Sequence, residues 1–251
     1  MIQSQTVARN FSRAATTYDR YAQLQKAWRV RVLEQALRQF PDSATILDIG
    51  CGTGAFATEA NALRPHWRIT NLDLAYGMCL SAQSAIQADA AALPIVDATF
   101  DGVVSNLCLQ WVSDKPRALI EIARVLKPGA MAVVMTLAEH TLHELRAMDA
   151  PLRLLAMNSS DDYRYYACEA GLEAVAIEEA AEQHRYDSLG SLLHSFKAIG
   201  ANAAFNDRGN LSPTSYQQLS RRYAAEYGHL QGGVVATWHP LLMVLRKQVN
   251  S

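Results

Sequence analysis

The chain has 251 residues, half of them apolar, and a formal net charge of −1. That length suits one full-sized α/β core, and the near-neutral balance argues against the broad positive field that nucleic-acid binding needs. No run of about 18 apolar residues occurs, and the polar stretch after Met1 lacks an apolar segment, so neither a membrane span nor a signal peptide is expected.

Charge is unevenly spread. Residues 1–40 carry seven Arg/Lys against two Asp/Glu, whereas residues 41–108 carry two against seven. The N-terminus therefore reads as a basic appendage on an acidic first half. The four cysteines, Cys51, Cys79, Cys108 and Cys168, are scattered without a C-x-x-C pair and read as free buried thiols of a cytoplasmic protein.

In chain order, Tyr21, Leu24, Trp28 and Leu33 recur at helical spacing, which predicts an amphipathic helix over 20–39 ahead of Pro41. Strands are predicted at Thr45–Ile49, Arg68–Leu72, Ser84–Ala88, Asp101–Ser105 and Ala130–Thr136, separated by helical segments such as Asp114–Leu126. Alternation of this kind specifies parallel strands joined by right-handed helical crossovers. After Pro151 the expectations are a helix at 161–170, a polar-alternating strand at 173–186, a helix at 188–198 and a closing strand Val234–Leu245 behind the Gly232-Gly233 turn.

The chemistry concentrates in Leu47-Asp48-Ile49-Gly50-Cys51-Gly52-Thr53-Gly54, which joins the first strand to its helix. Alternate glycines let the backbone turn tightly and approach a ligand, and the helix start offers free N–H groups. Gly50, Gly52 and Ala55 would equally satisfy a dinucleotide fingerprint, so the carboxylates must discriminate. Asp48, ahead of the first glycine, would repel a pyrophosphate but suits an ammonium group. Asp73, at the end of the second strand, is placed to accept from two ribose hydroxyls. Asp89, in Gln87-Ala88-Asp89-Ala90, is placed for the exocyclic amine of adenine. Together they describe a cationic nucleoside without phosphates.

With the strand Phe100–Asn106 and the Arg124-Val125-Leu126-Lys127-Pro128-Gly129 turn, these motifs resemble the class I S-adenosylmethionine-dependent methyltransferases over residues 44–138. The resemblance implies an α/β, Rossmann-like sheet of seven mostly parallel strands with the last antiparallel, plus helical lid elements. It also implies S-adenosylmethionine as cofactor, S-adenosylhomocysteine as product, and a cofactor site of Asp48, Gly50, Cys51, Gly52, Gly54, Asp73, Leu74, Asp89, Ala90, Asn106, Leu107 and Trp111.

Peripheral segments narrow the family. Val7–Ala15 with Tyr18-Asp19 and Ala22–Gln25, then Ser105–Trp111, Leu193–Asn202 and Thr237-Trp238-His239, are similar to the malonyl-[acyl-carrier protein] O-methyltransferases of biotin synthesis, which esterify a free malonyl carboxylate. Residues 203–210 follow that family only loosely. The resemblance implies malonyl-loaded acyl-carrier protein or malonyl-CoA as acceptor, no general base, and a single domain divided into an N-terminal lid (1–40), a cofactor core (41–150) and an acceptor and lid region (151–251). A monomer is expected.

Phe11, Tyr18, Gln110, Phe196 and Lys197 are the expected acceptor residues, with Tyr18, Arg13 and Lys197 positioning the carboxylate. Phe11 and Tyr18 are expected to close a lid formed by the N-terminal segment and the 188–209 helix. Arg9, Arg13, Arg20, Lys26, Arg29 and Arg31 offer a docking face for an acidic carrier protein. His140 and His143 lack a third ligand, and no metal is expected. Two alternatives remain open: a methyltransferase for another small acceptor, and a non-catalytic nucleoside-binding domain.

Overall fold

The computed structural model describes residues 4–148, 153–206 and 212–249. Three helices precede the sheet: α1 (Ser4–Ala14), α2 (Tyr18–Tyr21) and α3 (Gln23–Gln39). The helix expected over 20–39 is thus split, because Ala22 leaves the helical region at ψ 47° while its N–H closes on the Tyr18 carbonyl. The alternating part follows as β1 (Thr45–Ile49), α4 (Ala55–Leu63), β2 (Arg68–Asp73), α5 (Tyr76–Ser81), β3 (Ala85–Gln87), β4 (Phe100–Asn106), a 3-10 turn at Leu109–Trp111, α6 (Lys115–Val125) and β5 (Leu126–Leu137). α6 starts where the Asp114 carboxylate accepts the Arg117 N–H and Pro116 occupies the first turn, where a missing N–H costs nothing.

The remainder comprises α7 (His143–Ala147), β6 (Arg153–Leu154), α8 (Ser160–Glu169), β7 (Leu172–Glu179), β8 (Glu182–Tyr186), α9 (Leu189–Ala198), a 3-10 turn at Ala201–Ala204, β9 (Phe205–Asn206), α10 (Pro213–Tyr227), β10 (Val234–Trp238) and β11 (Pro240–Lys247). The main sheet has seven strands in the order β3-β2-β1-β4-β5-β11-β7, parallel throughout except for β11, which runs antiparallel to β5 and β7. The expected fold class is therefore the observed one. No helix among the described residues is long and apolar enough to cross a membrane.

Two predicted strands prove to be pairs. The stretch expected as one strand over 173–186 divides into β7 and β8, and Val234–Leu245 divides into β10 and β11; β7 and β11 join the main sheet while β8 and β10 pair separately. The break at His239 lies in its hydrogen bonds. Its carbonyl accepts from Ala138, its N–H donates to Thr141, and Pro240 has no N–H to continue the ladder behind it. The consequence is functional placement: Trp238, at the end of β10, borders a cavity together with Leu107 and Gln110, which follow β4. α10 was not anticipated, although Ser212 capping the Ser215 N–H, Pro213 in the first turn and buried Leu219 and Tyr223 one turn apart give it the usual start and face.

Both faces of the sheet are covered. Ile46, Val104, Val133, Met135 and Leu242 pack with α3, α9 and α10 on one side, and Leu47, Ile49, Val103, Val134, Leu241 and Met243 pack with α6 and α8 on the other. Period-two alternation therefore puts Asp48 on the same face as Ile46, toward α3. Of the cysteines, all unpaired, Cys51 is buried but Cys168 is exposed, so the expectation of buried thiols fails on the outer surface of α8.

Candidate functional site

The site lies beyond the carboxyl ends of β1, β2, β3 and β4, where an open parallel sheet leaves a crevice. Gly50 has φ 72°, and a Cβ there would lie 2.4 Å from the Cys108 Cβ, so only glycine permits the turn. Its N–H and that of Cys51 both donate to the Leu72 carbonyl, tying the turn to the end of β2. Gly52, at φ 56°, sends its N–H to Asp73 Oδ2 at 3.0 Å, and Ala75 N–H binds Oδ1 at 2.8 Å. Each Asp73 oxygen thus keeps a further lone pair for a ligand. Asp89 is held in the same fashion by the Ala91 N–H at 2.9 Å.

Three adjoining cavities open here. The largest, about 700 Å³, is walled by Gly50, Asp73, Leu74, Met78, Asp89, Ala90, Leu107 and Cys108, and α1 roofs it with Ser4, Val7 and Phe11. A second, about 370 Å³, lies beside the glycine turn between Asp48, Gly50, Cys51, Gly52, Asn106 and the α3 residues Gln25 and Arg29. A third, about 390 Å³, is bounded by Phe11, Tyr18, Trp28, Gln110, Trp111, Phe196 and Trp238. Tyr18 borders all three cavities.

Electrostatics separates them. Asp48 is 2% exposed and its Oδ2 has no hydrogen-bond partner among the described residues. Burial, reinforced by the neighbouring Asp73 charge and opposed by Arg29, pushes its carboxyl up to about 7. Asn106 Oδ1 is likewise buried and unpartnered, while its Nδ2 donates to the Gln25 carbonyl. Two acceptors without donors line one small cavity, which is the complement of a group that only donates, such as an ammonium. Arg29, across this cavity, already turns two of its three guanidinium nitrogens to Glu59, Nε at 2.9 Å and Nη2 at 2.7 Å, and makes no hydrogen bond to either acceptor among the described residues. Burial also raises the Cys51 and Cys108 thiols, with Asp48 and Asp73 adding to the effect, so both stay neutral.

Of the residues singled out from the sequence, Asp48, Gly50, Cys51, Gly52, Asp73, Leu74, Asp89, Ala90, Asn106, Leu107, Trp111, Phe11, Tyr18, Gln110 and Phe196 all border these cavities. Three do not. Gly54 caps α4 in the left-handed region at φ 81°, and a Cβ there would meet the Ala82 Cβ at 3.0 Å, so its role is to pack α4 against α5. Arg13 and Lys197 are exposed, on the outward sides of α1 and α9, and border none of the cavities. The basic face is also reduced, since Arg29 is tied to Glu59 and Arg31 to Glu182.

Sequence reasoning missed Gln25 and Arg29 as site residues, although their spacing of four on α3 would have put both on one face. It also missed how closely α1 is held. Gly77 and Gly200 flank it, and a Cβ on either would lie 2.4 or 2.8 Å from the carbonyls of Ser12 or Asn10. The expected lid segment 188–209 corresponds to α9 and the turn behind it; its last three residues, 207–209, lie outside the described residues, as does the 150/151 boundary between the two expected regions.

A methyltransferase-domain family matches residues 47–134. The malonyl-[acyl-carrier protein] O-methyltransferase of Erwinia pyrifoliae is 36% identical over 230 residues, covering 88% of this chain and 86% of that protein. The enzyme of the same name from Methylovorus sp. is 33% identical over 247 residues, covering 89% and 82%. Among solved structures, the YcgJ protein of Bacillus subtilis superposes with a TM-score of 0.63 at 17% identity, covering 88% of this chain and 99% of that one, which is a likeness of fold. The conjunction of sheet order, glycine turn and identity along nearly the whole length leads to one statement: the chain belongs to the malonyl-[acyl-carrier protein] O-methyltransferase family.

Proposed function

We propose that this chain is an S-adenosylmethionine-dependent carboxyl O-methyltransferase whose acceptor is the free carboxylate of a malonyl thioester carried on acyl-carrier protein. The observation that carries the reading is the pair of unpartnered buried acceptors, Asp48 Oδ2 and Asn106 Oδ1, beside the Gly50–Gly52 turn. An α-ammonium is a donor-only cation that satisfies both at once. Asp73 and Asp89, each with one oxygen lone pair or more to spare beyond its backbone bonds, fit ribose hydroxyls and an exocyclic amine in the adjoining cavity. When bound, the cofactor supplies a methyl group on a positively charged sulfur.

The protein's own part is alignment and exclusion of water. A malonyl carboxylate is ionised at neutral pH, so its oxygen is already nucleophilic and no base is needed. Tyr18, on the border of all three cavities, keeps its proton because burial, and then the Asp73 charge, raises its hydroxyl; it acts as a donor and not as a base. Phe11 packs edge-on to Trp111 with ring centroids 5.4 Å apart and shuts the space between α1 and the sheet. The neutral Cys51 and Cys108 thiols present no competing nucleophile. In this reading 1–40 covers the site, 41–150 holds the cofactor and 151–251 shapes the acceptor side, all in one cytoplasmic, monomeric domain. Exposed Arg9, Arg13, Arg20 and Lys26 offer the acidic carrier protein a docking face.

The test is transfer of labelled methyl from S-adenosylmethionine to malonyl-carrier protein, malonyl-CoA and free malonate in parallel. Labelled methyl ester on the carrier thioester, in excess over the other two, is expected. Label on none of the malonyl acceptors would refute the reading.

A further inference from the structure

The cavity on the acceptor side has a chemical oddity for a site meant to hold an anion: none of the described residues that bound it is Arg or Lys. Its walls are Phe11, Trp28, Trp111, Phe196 and Trp238 with smaller aliphatic groups, and the polar exceptions are Tyr18, Gln25 and Gln110. We propose that the Gln110 carboxamide, oriented by Thr136 and Tyr163, is the group that reads the acceptor carboxylate, as a neutral donor in an apolar chamber. This rests on the reaction proposed above and specifies which residue sets its selectivity.

Gln110 is 3% exposed, in the 3-10 turn that follows β4. Its Oε1 accepts a hydrogen bond from Thr136 Oγ1 on β5 at 3.0 Å, and that hydroxyl lies 3.4 Å from the Tyr163 hydroxyl of α8. Thr136 and Tyr163 are both fully buried. A hydroxyl has one proton, and that of Thr136 is committed to Gln110, so Tyr163 is the donor to Thr136 and the relay has a direction. With the amide oxygen held by Thr136, the Nε2 side is left to the cavity that Gln110 borders, and it makes no hydrogen bond among the described residues. An amide N–H₂ without a protein partner, on a largely buried residue that walls a cavity, calls for an acceptor inside it.

The choice of an amide over a cation follows from the charge change. Transfer forms one O–C bond from a carboxylate lone pair and breaks one C–S bond whose electron pair stays on sulfur. A negative and a positive charge vanish together, and no proton moves. A firmly paired cation would stabilise the carboxylate most before transfer and least after it, which slows the step; a neutral donor orients the oxygen without that penalty, and apolar walls strip its water.

The experiment compares wild type with Gln110→Leu, Gln110→Glu, Thr136→Val and Thr136→Ser. Three readouts are taken: kcat and KM for malonyl-carrier protein, calorimetric affinity for S-adenosylhomocysteine, and inhibition by the neutral methyl ester of the malonyl thioester. One lost hydrogen bond to a charged group predicts a fall of about ten- to a hundredfold in kcat/KM for the anionic acceptor in Gln110→Leu, and a larger one in Gln110→Glu. Affinity for S-adenosylhomocysteine stays unchanged, and inhibition by the neutral ester weakens far less than turnover of the anion. Thr136→Val moves in the same direction and Thr136→Ser restores wild-type values, which a packing role would not produce. Unchanged kcat/KM in Gln110→Leu overturns the inference, as does an equal loss for anion and ester or a parallel loss of S-adenosylhomocysteine. Wild-type protein that methylates no malonyl thioester overturns the proposed reaction itself, and the inference with it.

Discussion

Lowering the pH should weaken cofactor binding through a single buried carboxyl. Asp48 is 2% exposed, lies near Asp73 and is relieved only in part by Arg29, whose charge is shared with Glu59; its carboxyl is pushed up to about 7. Only the ionised form can pair with an ammonium. With that value, about nine tenths of the ligand-free protein is ionised at pH 8 and about one tenth at pH 6, so affinity should fall roughly tenfold between them. The sign follows from the raised value: ligand-free protein holds a proton below pH 7 that binding must expel, so affinity rises with pH through 7 and levels off above. Calorimetry with S-adenosylhomocysteine in buffers of different ionisation enthalpy measures both slope and proton release, about half a proton per ligand near pH 7. Asp48→Asn, which cannot titrate, controls for the ligand's own groups: it should bind weakly and lose the slope. An affinity that is flat from pH 6 to 8 in wild type, or the same slope in the variant, would refute the reasoning.

The same carboxyl should cost the ligand-free protein stability. A folded-state value above the unfolded one means that the folded protein loses stability as pH climbs from the ordinary carboxylate range to about 7, so Asp48→Asn should raise the unfolding midpoint more at pH 8 than at pH 5. Gly50→Ala forces a Cβ to 2.4 Å from the Cys108 Cβ at φ 72°, and a loss of at least about 2 kcal/mol is expected in denaturant titration. Gly200→Ala places a Cβ 2.8 Å from the Asn10 carbonyl and should lift α1 from the site, seen as faster tryptic cleavage at Arg9 and Arg13 and weaker S-adenosylhomocysteine binding. Unaltered cleavage would mean that α1 is not held by this approach.

Asp48, Gly50, Gly52, Asp73 and Asp89 were legible in the sequence because each is fixed by local rules: a strand end, a turn that needs positive φ, and the start of a helix. The antiparallel last strand was legible only through family resemblance. Where each expected strand breaks was not, because the kink at His239 depends on bonds to Ala138 and Thr141, about a hundred residues away in sequence. Arg13 and Lys197 carry the charge that an anionic acceptor asks for, and only packing shows that they face outward. Gln110 was visible as a motif residue, yet the direction of its amide is set by Thr136 and Tyr163 on two other elements. Composition and spacing decide what local backbone geometry can decide. Which polar atom is buried without a partner, and which cation is already paired, depends on atoms brought together from distant parts of the chain, and only the tertiary structure settles it.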